Sequence, residues 1–380
     1  MTAVSLPNPR PALPKGSHEK KNKIFVASQG TLIWWRFRKH KLALASAIAL
    51  VLIYAVVLFA EFFAPFPQEA YSVKYTYAPP QTLQLFLNGQ FKPHVLGYKS
   101  VVNQESLKRE FTVDPEKIVP IQFFAQGEPY LLMGFIPATT HLLGPTLKED
   151  PMYLLGADRL GRDVFSRMIY GTRISMTIGL VGVTISLLLG IFLGGISGFF
   201  GGWVDIGIQR TIEFIISIPS IPLWLGLSAA LPNDWSPVQV YFAITLILSL
   251  RGWTGLARVV RGRFLSLREE EFVMAAALDG SSELRLIFLH MLPSFMSHII
   301  ATVTLAIPEM ILAETSLSFL GLGLRAPAVS WGVLLQEAQN VRSVVQAPWL
   351  LVPAVGVILA VLTFNFLGDG LRDAADPYSR

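Results

Sequence analysis

Between Arg173 and Asp205 the chain runs for 31 residues, Ile174 to Val204, without one charged side chain. A bilayer core about 30 Å thick is crossed by about 20 helical residues. Backbone inside it must satisfy its own hydrogen bonds, which a helix does. This stretch therefore predicts a membrane span, and it has company. Leu42 to Ala60 offers 19 uncharged residues, Phe214 to Asn233 20 and Trp235 to Leu250 16, the last extended past Arg251. Leu286 to Pro308 and Ser343 to Gly368 add 23 and 26, with the membrane part of the former beginning after Pro293. The expected fold is an all-α polytopic membrane protein of six transmembrane helices. A charged fraction of 15% against 52% hydrophobic residues fits that class, since soluble domains carry about 25% charge.

Charge placement orients the spans. Trp34, Trp35, Arg36, Arg38, Lys39 and Lys41 form an aromatic and basic collar before the first span, the signature of a cytoplasmic end. The loop holding Arg258, Arg261, Arg263 and Arg268 falls inside, whereas Leu231 to Gln239 outside has no basic residue. Arg325 and Arg342 in the last outer loop run against the trend. The reading is a cytoplasmic tail (1–41), a first helix (42–64), an extracytoplasmic insertion (65–172), a five-helix core (173–370) and a cytoplasmic tail (371–380), with both termini inside. Residues 1 to about 30, rich in Pro, Lys and Ser, read as disordered, and the first apolar run is too long for a cleaved leader. The insertion alternates aromatic and polar residues in short runs (Tyr71–Tyr77, Leu83–Leu87, Val119–Phe124) between prolines and glycines, predicting a small domain that contains strands.

The longest polar interruption of the second half holds EEEFVMAAALDGSSELRLIFLHMLP, Glu269 to Pro293. Phe272 to Leu278 favours helix. Asp279-Gly280 stops it, because glycine accepts the left-handed conformation of a helix end. Ser281 or Ser282 caps a second helix with Glu283 in its first turn. A short exposed helix with small residues on one side, held between two spans, is a surface for another protein. The plain alternative is an amphipathic hairpin lying on an apolar surface.

Three other features bear on chemistry. Gly190, Gly194, Gly198 and Gly202 recur every fourth residue, a face for close helix approach beyond general membrane glycine enrichment. Asp158 with Arg162, Arg159 with Asp163, and Asp163 with Arg167 are four apart and pair along one surface if the segment is helical. That is an ion-pair collar rather than an acid/base site, because adjacent arginines keep carboxylates ionised. Glu309 and Glu314 lie in or near the fifth span, where carboxylates face a bundle interior or an aqueous path, and pathway lining competes with packing. Pro219 and Pro222 interrupt the third span and free carbonyls that need partners.

The exclusions are as informative. There is no cysteine, no GxxxxGK[ST], no HExxH and no GxSxG. The six histidines show no metal-ligand spacing, and the basic residues form no nucleic-acid footprint. No catalytic residue, cofactor or metal is expected, and the chain is not read as an enzyme.

Several motifs in order resemble one family. LGADRLGRDVFSRMIYGTRIS (155–175), GFFGGWVD (198–205), RGWTGLARVVRGRFLSLREEEFV (251–273), SFLGLGL (318–324) and GDGLRDAADP (368–377) are similar to bacterial ABC importer permeases of the oligopeptide and dipeptide C type. Ala275-Ala276, Gly280 and Leu292-Pro293 match that family's coupling loop, with Met274 where a glutamate is usual. The resemblance implies one amino-terminal helix plus a five-helix type I importer core in the bacterial inner membrane. It implies a second homologous permease, two ATP-binding subunits that bind the nucleotide this chain does not, and an extracytoplasmic substrate-binding protein. It places Glu270, Glu271, Phe272, Met274, Ala275, Ala276, Asp279, Gly280 and Ser281 against an ATPase. The long insertion departs from plain oligopeptide permeases, so oligosaccharides or opines stand beside peptides as cargo. A receptor or anchor using residues 65–172 is the competing function, and an intramembrane hydrolase using Asp158, Asp163 or Glu309 a distant third.

Overall fold

The computed structural model describes residues 29–102, 104, 109–147 and 150–375. The readings of residues 1–28 and 376–380 as tails lie outside it. Among the described residues five helices are long and apolar enough to cross a membrane, and a bent pair makes a sixth crossing if counted as one. In chain order they are α2 (Lys41–Leu58), α4 (Val164–Phe200), the pair α5 (Gly202–Ser217) and α6 (Ser220–Ala229), α7 (Pro237–Leu267), α9 (Met296–Phe319) and α12 (Val352–Ala375). Short helices α1 (Gln29–Phe37), α3 (Ala60–Phe63), α8 (Glu271–Leu278), α10 (Trp331–Gln336) and α11 (Val341–Gln346) connect or terminate them.

The third span is interrupted as its prolines predict, and the fifth and the last run further than the sequence reading, each for a local reason. The third is broken: α5 and α6 meet at 87° around Ile218-Pro219. Proline removes a backbone donor and sits at the amino-terminal end of the next helix. Pro222, four residues on, has no N–H to give the Ile218 carbonyl, which instead accepts from Arg251 Nη1 at 2.9 Å. The fifth runs past Pro308 to Phe319, so Glu309 and Glu314 are both within it. The last continues to Ala375 rather than stopping near 370, because Ala374 packs with Phe37 and Ala43. The same cluster holds α1, which carries Trp34, Trp35 and Arg36 of the collar.

One core binds α2, α4, α7, α9 and α12 around Met176, Ile178, Leu248, Ile311, Leu317 and Phe364. A second, at the end away from the insertion, gathers Val260, Phe264, Val273, Ile287 and Met291. Between α8 and α9 the chain winds through a π-helical turn, Leu286–Met291.

The insertion is an antiparallel meander, β1 (Gln84–Leu87), β2 (Gln90–Val102), β3 (Arg109–Leu132) and β4 (Ile136–Pro145). β3 pairs with β2 through Pro120 and with β4 from Ile121 onward, so one strand serves two hairpins. Asn88-Gly89 turns the first corner with positive φ at both positions, the two-residue turn that suits strand twist, and a three-residue loop with positive φ at Met133 and Gly134 joins β3 to β4. Leu83–Leu87 and Val119–Phe124 fall mainly on strands as expected, but Tyr71–Tyr77 does not. It supplies a single 3-10 turn that buries Tyr75 among Tyr98, Phe111 and Tyr153. His141 docks β4 on the end of the first span, its Nδ1 2.7 Å from the Ala64 carbonyl and 2.9 Å from that of Glu61.

Candidate functional site

At the end of the bundle away from the insertion, α8 stands out from the second core. Of its eight residues only Val273 is buried. Phe272 and Met274 are about half exposed, and Leu278 is 89% exposed. Glu270 precedes the helix as its N-terminal boundary residue, and Glu271 opens the first turn, where the helix dipole favours it. Ala275 and Ala277 are exposed and Ala276 half-buried. The stop is a Schellman motif: Gly280 N–H donates to the Ala277 carbonyl and Ser281 N–H to that of Ala276, both at 3.1 Å. Gly280 adopts φ +82, which makes glycine the fitting residue, and a Cβ there would have nothing within 4 Å. Ser282 begins the next turn but its hydroxyl makes no capping bond, so the expected serine cap is a backbone feature only.

The glycine face is real for three of its four members. A Cβ on Gly190 would lie 2.9 Å from Leu256, one on Gly194 2.5 Å from the Ala257 carbonyl oxygen, and one on Gly198 2.7 Å from that of Arg261. These glycines let α7 approach α4 to backbone contact. Gly202 does not belong: it opens α5 beyond the turn at Gly201, with φ +54 and nothing near it. Gly195, off the four-residue spacing, takes its place beneath the Phe264 ring. At the end of this seam Asp205 accepts from Arg261 Nε and Nη2, both at 2.5 Å, and from the Ser197 hydroxyl at 2.5 Å. Three helices are thereby tied a few residues before α8.

Glu309 and Glu314, paired in the sequence reading, are separated by the structure. Glu309 is exposed on α9, while Glu314 is fully buried. Its carboxylate accepts from Ser175 Oγ at 3.1 Å and Ser318 Oγ at 2.8 Å. Ser175 Oγ in turn accepts from the Trp331 N–H, so Glu314 fastens α4, α9 and α10 together.

At the insertion end, residues 157–163 are a turn and not the helix on which the ion-pair spacing relied. Gly156 and Gly161 take φ +78 and +72, and α4 begins only at Val164. Asp158, almost fully buried, accepts from Leu160 N–H at 2.8 Å, Arg162 N–H at 3.0 Å, Arg162 Nε at 2.6 Å and also Arg167 Nη1. Asp163 forms no ion pair with Arg159 or Arg167 among the described residues. It caps α4, accepting from Ser166 N–H at 2.8 Å and Ser166 Oγ at 2.6 Å. Burial pushes its carboxyl up to about 6 despite those bonds. Arg173 reaches back to Glu61 on α3, with Nη2 to Oε2 at 2.7 Å. Burial works to raise Glu61, but the Arg173 pair outweighs it and holds the carboxyl below its ordinary value. Arg159 instead sends its backbone N–H to Glu337 Oε1 at 2.9 Å, across 178 residues of sequence.

Sequence reasoning missed Val273, the Asp205–Arg261 tie, Arg251 at the helix break and Glu337. Each depends on a partner remote in the chain or on one buried position in a short helix, and no local spacing signals either.

The architecture meets its relatives here. The family model described as binding-protein-dependent transport system inner membrane component matches residues 186–380, just over half the chain. A model of the N-terminal TM domain of oligopeptide transport permease C matches residues 28–80. The chain therefore belongs to the binding-protein-dependent inner-membrane transport components and is a permease subunit of an ABC importer. It is 37% identical over 244 residues to the oligopeptide transport system permease protein OppC of Bacillus subtilis, covering 64% of this chain and 77% of that one. The dipeptide transport system permease protein DppC of Alkalihalophilus pseudofirmus is 38% identical over 240 residues, 63% and 75% of the two chains. OppC of Haemophilus influenzae is 39% identical over 237 residues, 62% and 73%. A solved MetNI methionine ABC transporter in inward-facing form shares 15% identity and a TM-score of 0.43 over 55% of this chain and 96% of that chain.

Proposed function

We propose that this permease carries short peptides, forms half of the translocation pathway, and takes its driving motion through α8. The peptide reading is supported by relatives named as oligopeptide and dipeptide permeases. The observation that carries the coupling role is α8 itself: a helix anchored through Val273 alone, with Phe272, Met274 and Leu278 uncovered beyond the bundle. Exposed apolar side chains around a small-residue surface suit insertion into a groove on a partner, the helix-in-groove mode of recognition. In this reading two ATPase subunits grip α8 and its counterpart on a second, homologous permease, and nucleotide-driven closure rocks the packed helices as bodies. The insertion end faces outward to meet the binding protein, both termini lie in the cytoplasm, and exposed Glu309 lines the path.

The test is at Gly280. Gly280→Trp strains the left-handed stop and adds bulk where this chain offers no obstacle, so peptide uptake is lost while the protein stays in the membrane. Gly280→Asn, which tolerates positive φ, retains most uptake. Unimpaired transport by the tryptophan variant, or an affinity-purified chain that brings no ATPase with it, refutes the coupling role.

A further inference from the structure

A cavity of about 420 Å³ opens at the insertion end, outside the bundle's own packing. Its walls come from four separate segments: Tyr77 of the insertion, the Asp158 turn with the start of α4, Ala326, and Val333–Ser343 around α10. Two bonds lock these walls together, the Arg159 N–H to Glu337 and the Tyr77 hydroxyl to Ser343 Oγ at 3.2 Å. The cavity is within the range of small-ligand pockets.

Its charge is unbalanced. Arg159, Arg162 and Arg167 all line it, and Glu337 is the one carboxylate among the lining residues. Asp158 lies behind the wall, where its single carboxylate serves both Arg162 and Arg167. Three guanidiniums against two carboxylates leave one positive charge over. Burial pushes the Glu337 carboxyl up, and nearby Asp158 adds to the effect. Arg167 is buried, and its Nε–H has no hydrogen-bond partner. Arg167 shares that carboxylate with the partly exposed Arg162, and a buried guanidinium short of partners is costly unless a further anion completes the set. Arg159 is exposed at the rim, its planar fork free of the Asp158 cluster and suited to bidentate capture of a carboxylate.

We infer that this cavity receives the terminal carboxylate of the transported peptide, with Arg159 as the first contact and Arg162 behind it. The inference rests on the peptide reading above and adds a position in the permease itself where peptides are distinguished by a free carboxyl end. The neutral backbone and side chains of a short peptide then lie toward Leu334 and Val333, which are apolar parts of the wall.

The experiment compares uptake of trialanine and trialanine amide in cells expressing the chain with its native partners. The ratio of acid to amide is measured for wild type, Arg159→Ala and Arg159→Lys. The ratio corrects for selection by the binding protein, which is the same in all strains. For Arg159→Ala it falls about tenfold, the scale of one charge-assisted hydrogen bond, and Arg159→Lys recovers part of it. Membrane abundance stays at the wild-type level, since Arg159 is exposed. An unchanged ratio with peptide uptake intact overturns the carboxylate site alone. Equal loss of both peptides also overturns it and assigns the cavity to a protein contact. If neither peptide enters wild-type cells above a strain lacking the chain, the peptide reading falls and the site with it.

Discussion

The α4–α7 seam and the broken pair α5–α6 are built from equally apolar sequence and do opposite things with it. Along the seam, Gly190, Gly194 and Gly198 bring two helices to backbone contact, and Leu256, Val260 and Phe264 are buried against them. In α5 and α6 only Ile212 and Ser228 are buried, while Trp203 is 88% and Phe214 69% exposed. Lipid is as apolar as a helix surface, so hydrophobicity in a membrane does not decide which helices pair. Small residues do. The lesson is that hydropathy locates the spans and glycine placement locates their partners.

The contrast is broken most directly by filling the seam. Gly194→Leu drives a side chain into the Ala257 backbone, which cannot move aside as a flexible tip would. A loss of about 3 kcal/mol or more is expected, read as failure to accumulate in the membrane or a large drop in unfolding midpoint in detergent. A stable variant shows that the helices meet less closely than described. Next comes Arg251→Met, which removes the donor that satisfies Ile218 at the α5–α6 break. It leaves a carbonyl unpaired at a cost of about 1–3 kcal/mol. Local destabilisation, seen as faster hydrogen exchange confined to residues 214–224, is the expected sign, and wild-type exchange there removes Arg251 from the role.

A smaller effect sharpens the seam from its other end. The Asp163 cap of α4 titrates near 6 in the folded chain, above its ordinary value. The folded state therefore binds the proton more tightly than the unfolded state does. The stability this contributes is complete below about pH 4 and is lost as pH rises through about 6, with a slope of at most about 1.4 kcal/mol per pH unit. Unfolding midpoints should fall between about pH 4 and 6 in wild type and stay flat in Asp163→Asn. An equal slope in the variant assigns the dependence elsewhere. Smallest of all, Gly207→Ala on α5 meets nothing within 4 Å, so it should raise stability by about 0.5–1 kcal/mol. Destabilisation there shows that α5 is packed against something outside this chain.

What the sequence disclosed follows the same division. Runs without charge gave the spans, and Asp279-Gly280 marked the end of α8 because one backbone conformation is nearly reserved for glycine. The four-residue glycine spacing found the seam but overreached at Gly202, where the helix had already ended. The Asp158 cluster was legible as chemistry and misread as geometry: the charges do meet, but Gly156 and Gly161 turn the backbone so that Asp158 reaches Arg167 nine positions away. Arg173 with Glu61 and Arg261 with Asp205 lie 112 and 56 residues apart, beyond any local pattern. Glu314 carried a signal, a carboxylate inside a span, but its hydroxyl partners are Ser318 on its own helix and Ser175 on α4, 139 residues away.

Val273 is the lone buried side chain of α8, seated among Phe264, Ile287 and Met291. A body held at a single point resists being pushed off its seat far more than it resists being turned on it. In the coupling role proposed above, α8 then acts as a ball joint: a partner gripping it changes the angle between itself and the bundle while the load still passes through Val273 into α7 and the π-helical turn.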